Sequence, residues 1–283
     1  MTTLSEMMNH LRNRFAVAGI EDPMAEARIL VGGLLGLGRT DFITRSEVQI
    51  DLDDEARILD AAGRRTRGEP PYRILGHRCF RGLDLRLSKG TLEPRPDTEI
   101  LVQAVLDAIG GRRDDALEIL DLGTGTGAIG LALLAELPKA RAVGVDLSED
   151  ALATAVDNAA AYGLSDRFSP RLSDWFDRVA GTYDVIVSNP PYIRSEVIAS
   201  LDREVREHDP LLALDGGDDG LDAYRKIAAA AAHFLKADGI VAVETGFDQR
   251  QPVEDIFTAK GFSLAAAHRD YGGNDRAQLF RLL

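Results

Sequence analysis

DLGTGTGAIG, residues Asp121–Gly130, stands between the apolar run LEILDL and a helix-forming segment. Glycines at a strand-to-helix turn let the backbone come close to a ligand, and the helix N-terminus offers N–H groups with no partner inside the helix. In one register Gly125, Gly127 and Gly130 spell G-x-G-x-x-G, and Asp146 follows Gly125 by 21 residues. That is also the dinucleotide fingerprint, so a nicotinamide-dependent dehydrogenase stays open on these residues alone. In the other register Gly123, Gly125 and Gly127, with Thr124 and Thr126 between them, follow Asp121 at a spacing typical of loops that hold S-adenosylmethionine. Asp146 then offers two carboxylate oxygens to the two ribose hydroxyls.

Outward from this loop the pattern is strand alternating with helix, the signature of a parallel sheet covered on both faces. Strands are predicted at LEILDL, RAVGVDL, RFSPRLS, YDVIVS and GIVAVET, and helices from near Asp97, Gly127, Ser148, Gly220 and Gln251. Two closing strands near the C-terminus, one of them antiparallel, complete an α/β fold with a mostly parallel seven-stranded sheet over residues 94–283. Residues 1–72 read as a small helical domain: apolar positions recur at helical spacing in LSEMMNHLRNRF and MAEARILVGGLLGL, and DLDDEARILDAAGRR opens on acids suited to a helix N-terminus. EPPYRILG is expected to break the helical pattern. CFRGLDLRLS alternates Leu83, Leu85 and Leu87 with Asp84 and Arg86, which predicts a β-hairpin connector over residues 73–93.

Composition narrows the function classes. With 45% hydrophobic and 28% charged residues the chain has an ordinary globular balance, and no apolar run is long enough to span a bilayer. The opening MTTLSEMMNHLRNRF lacks a secretory pattern, which points to the cytoplasm. One cysteine, Cys79, excludes an intrachain disulfide and a cysteine-cluster metal site, and the five histidines show no i, i+4 pair, so no metal is expected. The net charge of −13 argues against broad attraction to nucleic acid. It is uneven: between Ala61 and Arg95 nine basic residues stand against three acidic ones, a balance of +6 that leaves −19 elsewhere. That island reads as a solvated linker, or alternatively as a docking surface for an acidic macromolecule.

SNPPYI, Ser188–Ile193, directly follows the apolar run Val185–Val187. Adjacent prolines fix φ and keep the chain extended. At the carboxyl end of a strand in such a sheet, NPPY overhangs the ligand crevice. Asn189 offers a side-chain oxygen and Pro190 a main-chain one, two stiffly held acceptors that match the two N–H bonds of a planar NH2 group. Tyr192 offers a ring to its flat face. The third strand ends in Asp174-Trp175, an acceptor and a ring suited to the amino edge and face of adenine.

PRPDTE (94–99), DLGTGTGAIG (121–130), SDWF (173–176) and VSNPPYI (187–193), in this order behind a helical domain, resemble the HemK/PrmC family of protein-(glutamine-N5) methyltransferases. PPYRILG and DYGGNDR extend the resemblance over essentially the whole chain. It implies a class I, Rossmann-like methyltransferase domain behind a substrate-recognition domain. The implied reaction is methylation of the glutamine amide in the Gly-Gly-Gln loop of peptide chain release factors. Cofactor contacts are implied at Gly123–Gly127, Asp146, Trp175 and Asn189, and amide contacts at Asn189, Pro190, Pro191 and Tyr192. Arg95 and Glu99 are expected at the site floor or at a helix entry. Glu93 and Glu207-His208 depart from the family pattern. The alternatives are glutamine methylation of a large-subunit ribosomal protein, sharing the same chemistry, and amino methylation of a nucleobase.

Overall fold

The computed structural model describes residues 2–283, which divide into two compact units, 2–78 with 203–208 and 79–202 with 209–283. The first unit carries helices α1 (Leu4–Val17), α2 (Pro23–Leu35), α3 (Asp41–Thr44), α4 (Leu52–Thr66) and α5 (Pro71–Leu75). Thr3 and Glu6 form a reciprocal capping box on α1. Asp51 caps α4, whose first turn holds Asp53, Asp54 and Glu55 and whose last turn holds Arg64 and Arg65, charges matched to the helix dipole at both ends. Leu11, Phe15, Leu30, Val31 and Ile58 are fully or almost fully buried between these helices.

EPPYRILG interrupts the helical pattern only at its start: α4 ends at Thr66, Glu69 and Pro70 lie outside any helix, and a short new helix follows. Pro71 starts α5, because a proline in the first helical turn gives up an N–H that has no acceptor there anyway. The basic island is not an open cationic face. Arg65 is 4% exposed and pairs with Glu26 and, at 2.6 Å, with Glu204 of the short helix Arg203–His208. Arg64 pairs with Glu69. Further along, Arg81 pairs with Glu136, Arg86 with Asp157 and Arg95 with Asp209.

The hairpin of β1 (His77–Phe80) and β2 (Leu83–Arg86) forms as the period of two predicts, with Leu83 and Leu85 buried and Asp84 and Arg86 exposed. In the second unit α6 (Thr98–Ile109), β3 (Glu118–Leu122), α7 (Ala128–Glu136), β4 (Arg141–Asp146), α8 (Glu149–Ala161), β5 (Phe168–Leu172) and β6 (Tyr183–Ser188) follow in turn. The short helices α9 (Ser195–Ile198) and α10 (Arg203–His208, in the first unit) come next. They precede α11 (Asp222–Phe234), β7 (Leu235–Glu244), α12 (Arg250–Thr258), β8 (Phe262–Arg269) and β9 (Asp275–Leu282).

The sheet order is β5-β4-β3-β6-β7-β9-β8, with β9 alone antiparallel to its neighbours. Apolar clusters cover both faces, so β6 is buried along its whole length, as a central parallel strand should be. The chain runs from β3 outward to β4 and β5, then returns to β6 on the other side. That reversal opens a crevice beyond the carboxyl ends of β3 and β6, where such sheets bind ligands. Leu122 and Ser188, the last residues of the two strands, are in register, and the Ser188 hydroxyl donates to the Leu122 carbonyl at 2.7 Å. The glycine loop and NPPY therefore leave the sheet side by side. Among the described residues no helix is long and apolar enough to cross a membrane.

Candidate active site

A cavity of about 700 Å³ opens at this crevice. It is lined by Gly123, Thr124, Gly125 and Thr126 after β3, Asp146 at the end of β4, Asp174 and Trp175 after β5, and Asn189 and Pro191 after β6. Four consecutive strands thus deliver the predicted residues to one place. Gly127, Pro190 and Tyr192 do not line it. Gly127 opens α7 at φ 81°, and a Cβ there would lie 2.9 Å from Leu131 and 3.3 Å from Ala155, so it serves close helix packing. Pro190 is buried.

Gly123 and Gly125 adopt φ of 72° and 55°, the left-handed region that side chains disfavour, and nothing lies within 4 Å of where a Cβ would stand. The loop is thus a cradle of bare backbone facing open space. Asp121 ties it down from beneath: its Oδ2 accepts from the Thr124 hydroxyl at 2.7 Å and the Gly130 N–H at 3.0 Å. Asp146 Oδ2 accepts from the Gly125 N–H and Oδ1 from the Ser148 N–H, both at 2.9 Å. Each Asp146 oxygen keeps a lone pair for a further donor. Asn158 on α8 donates to the Thr126 carbonyl at 2.9 Å and also exchanges hydrogen bonds with both main-chain groups of Arg86 on β2.

Full burial pushes the Asp121 carboxyl up from 3.8 to about 6, and its Oδ1 has no hydrogen-bond partner among the described residues. The folded chain therefore holds this proton more tightly than the unfolded one. The stability it contributes is complete below about pH 4 and is lost as pH rises through about 6, a change of about 3 kcal/mol. Asp121→Asn keeps an acceptor for Thr124 and Gly130 without the charge. Urea unfolding at several pH values is expected to show the variant gaining on the wild type between pH 4 and 7; a pH-independent difference would contradict this.

Trp175 takes φ of 47°, an outlier for a bulky residue, and packs partly against the core formed with Phe176 and Tyr224. Asp174 is exposed beside the Lys226 ammonium at 3.7 Å.

NPPY is held from two sides. The Asn189 Nδ2 donates to Thr98 Oγ1 at 3.1 Å, and the Thr98 hydroxyl donates to Glu244 Oε2 at 2.6 Å. The Tyr192 hydroxyl donates to Glu244 Oε1 at 3.3 Å, while its ring packs against the core and not across the cavity. Gln249 donates to the main-chain oxygens of both Tyr192 and Gly220. Gly220 has φ of 75°, and a Cβ there would stand 2.4 Å from the Tyr192 oxygen, so only glycine lets this loop close on the motif. Burial lifts the Glu244 carboxyl to about 7 against the opposing pull of the Thr98 hydrogen bond and the Arg276 charge. Burial likewise pushes the Tyr192 phenol above its ordinary value.

Arg95 lines the cavity and is held by Asp209 at 2.6 Å; Glu99 instead accepts from the Arg81 N–H outside it. Sequence reasoning did not single out Thr98, Glu244 or the wall made by Leu211, Leu212 and Ala213. An acid closing the apolar strand GIVAVET was the available signal for Glu244. Of the positions that depart from the family pattern, Glu93 is buried and Glu207 pairs with Arg203.

Residues 95–205 match the family model described as Methyltransferase small domain, and residues 6–76 that of the PrmC N-terminal domain. The release factor glutamine methyltransferase of Agrobacterium fabrum is 53% identical over 99% of this chain and 97% of its own. The chain belongs to the release factor glutamine methyltransferase family. A second member, from Caulobacter vibrioides, is 41% identical over 98% of this chain and 96% of its own. Among solved structures, a methyltransferase from Pyrococcus furiosus superposes with a TM-score of 0.52 at 18% identity, over 82% of this chain and 99% of that one, a likeness of fold. In this family setting the dehydrogenase register of the glycine loop has no further support.

Proposed function

We propose that the protein transfers a methyl group from S-adenosylmethionine to the side-chain amide nitrogen of the glutamine in the Gly-Gly-Gln loop of peptide chain release factors. The observation that carries this reading is the placement of Asn189 on the cavity wall with its Nδ2 committed to Thr98, which leaves Oδ1 as an acceptor for an NH2 group.

The glycine cradle, the remaining lone pairs of Asp146 and the Trp175 ring suit an adenosine sulfonium. When bound, that group would supply the transferred carbon, its S–C bond breaking as the C–N bond forms and sulfur leaving as a thioether with the bonding pair. An amide nitrogen is a weak nucleophile because its lone pair is delocalised. Asn189 Oδ1, an acceptor, binds an N–H bond more strongly as the nitrogen loses that delocalisation and becomes positive, which favours the transition state over the ground state. Holding the nitrogen against the reacting carbon adds up to roughly 7–11 kcal/mol in well-oriented cases. The methylated nitrogen is acidic and gives its proton to water, so no strong base is required. An acceptor at this position also rejects a glutamate carboxylate, which has no hydrogen to offer it.

The helical first unit, with Val17, Ile43 and Leu52 exposed, is proposed to help recognise the protein that carries the glutamine. A cytoplasmic site of action fits a substrate of the translation machinery. Incubation with methyl-labelled S-adenosylmethionine and, separately, a release factor, a large-subunit ribosomal protein and DNA tests the reading. The label is expected on the release-factor glutamine amide. Label on the ribosomal protein or on DNA, with none on the release factor, would overturn it.

A further inference from the structure

Asn189 can serve as an acceptor only if its amide is turned one way, and a terminal amide turns easily. The atoms behind it decide which way. Thr98 Oγ1 stands 3.1 Å from Asn189 Nδ2 and 2.6 Å from Glu244 Oε2. A hydroxyl has one hydrogen to give, and above about pH 7, where Glu244 is ionised, its carboxylate only accepts. With Glu244 taking the Thr98 hydrogen, the Thr98 oxygen is left with lone pairs alone, and the Asn189 group that faces it must be the NH2. The Tyr192 hydroxyl gives its own hydrogen to the other Glu244 oxygen, so both carboxylate oxygens are occupied by donors. All four side chains sit on elements of the second unit: Thr98 opens α6, Glu244 ends β7, and Asn189 and Tyr192 follow β6. Thr98 and Glu244 are 4% and 1% exposed, so water does not compete for these bonds.

We infer that Thr98 and Glu244 are positioning residues that set the direction of this hydrogen-bond relay and so turn the Asn189 oxygen toward the substrate NH2. The reverse orientation sets NH2 against NH2, two donors with no acceptor between them. The inference rests on the role proposed above for Asn189, but the orientation itself can be measured with no substrate present.

In the 15N-labelled wild type at about pH 8, where Glu244 is ionised, the Asn189 side-chain NH2 pair, assigned by its loss in Asn189→Ala, is expected to exchange with solvent at least about tenfold more slowly than in Thr98→Val. Thr98→Val keeps the shape and removes the hydroxyl. It is expected to lower kcat about ten- to a hundredfold, the loss of one oriented hydrogen bond in the transition state. Affinity for S-adenosylhomocysteine should stay within about twofold. Thr98→Ser should restore both the slow exchange and the rate. Glu244→Leu should resemble Thr98→Val, and Glu244→Gln, which still offers Thr98 an oxygen, should recover most of the rate.

An Asn189 pair that exchanges freely in the wild type overturns the inference, even if Thr98→Val does not fold. So does a Thr98→Val enzyme with wild-type kcat, or a Thr98→Ser enzyme no better than Thr98→Val. Slow exchange in a wild type that fails to methylate release factor would instead overturn the proposed substrate and leave the relay standing.

Discussion

Asn189→Ala is expected to lower kcat by about 10²–10³-fold, the scale found when one preorganised polar contact to a transition state is removed. Its affinity for S-adenosylmethionine should change by less than about threefold, because the residues proposed to hold the cofactor, Gly123 to Thr126 and Asp146, are untouched. The physical reason lies in timing. In the proposed reaction the hydrogen bond to Asn189 Oδ1 gains strength only as the amide nitrogen turns tetrahedral, so its loss would fall on the chemical step. Single-turnover methylation of a release factor, beside calorimetric titration of the cofactor, separates the two quantities. Equal loss of binding and turnover would assign Asn189 to the cofactor instead.

Asp146→Ala should show the opposite division. The two charge-assisted hydrogen bonds proposed from Asp146 to the ribose hydroxyls, at about 1.5–3 kcal/mol each, correspond to at least about a hundredfold loss in cofactor affinity. The side chain also accepts from the Gly125 and Ser148 N–H groups, so its removal frees the middle of the glycine loop. At saturating cofactor kcat is expected to fall much less than in Asn189→Ala, since no Asp146 atom contacts NPPY in the hydrogen-bond network described. Calorimetry against initial rates at rising cofactor concentration checks this, and an unchanged dissociation constant would remove Asp146 from the cofactor site.

The carboxyl-edge site was legible because its signals are local. An apolar strand followed by glycines or prolines reads directly from β3 and β6, and the crevice rule brings Asp146 and Asp174-Trp175 to the same rim. What stayed hidden depends on distant partners. Thr98 reads as a helix-entry residue until Glu244, 146 positions away, is seen to take its hydrogen. Tyr192 has a ring of the right kind for an amide face, yet core packing claims it, which periodicity across a proline pair cannot reveal. Arg65 reads as surface charge from composition, whereas Glu26 and Glu204, far apart in sequence, draw it inside. The φ of 47° at Trp175 has no signature in residue type at all.

Asn158 grips both the Thr126 carbonyl and the main chain of Arg86. One amide therefore couples the cradle to the hairpin, and coupling of this kind runs equally in both directions. A nucleoside that quiets the cradle must slow deuterium uptake at the Arg86 amide, and a substitution that loosens the hairpin edge must be felt as weaker nucleoside retention. Occupancy of the site can thus be followed from a strand that does not line the cavity.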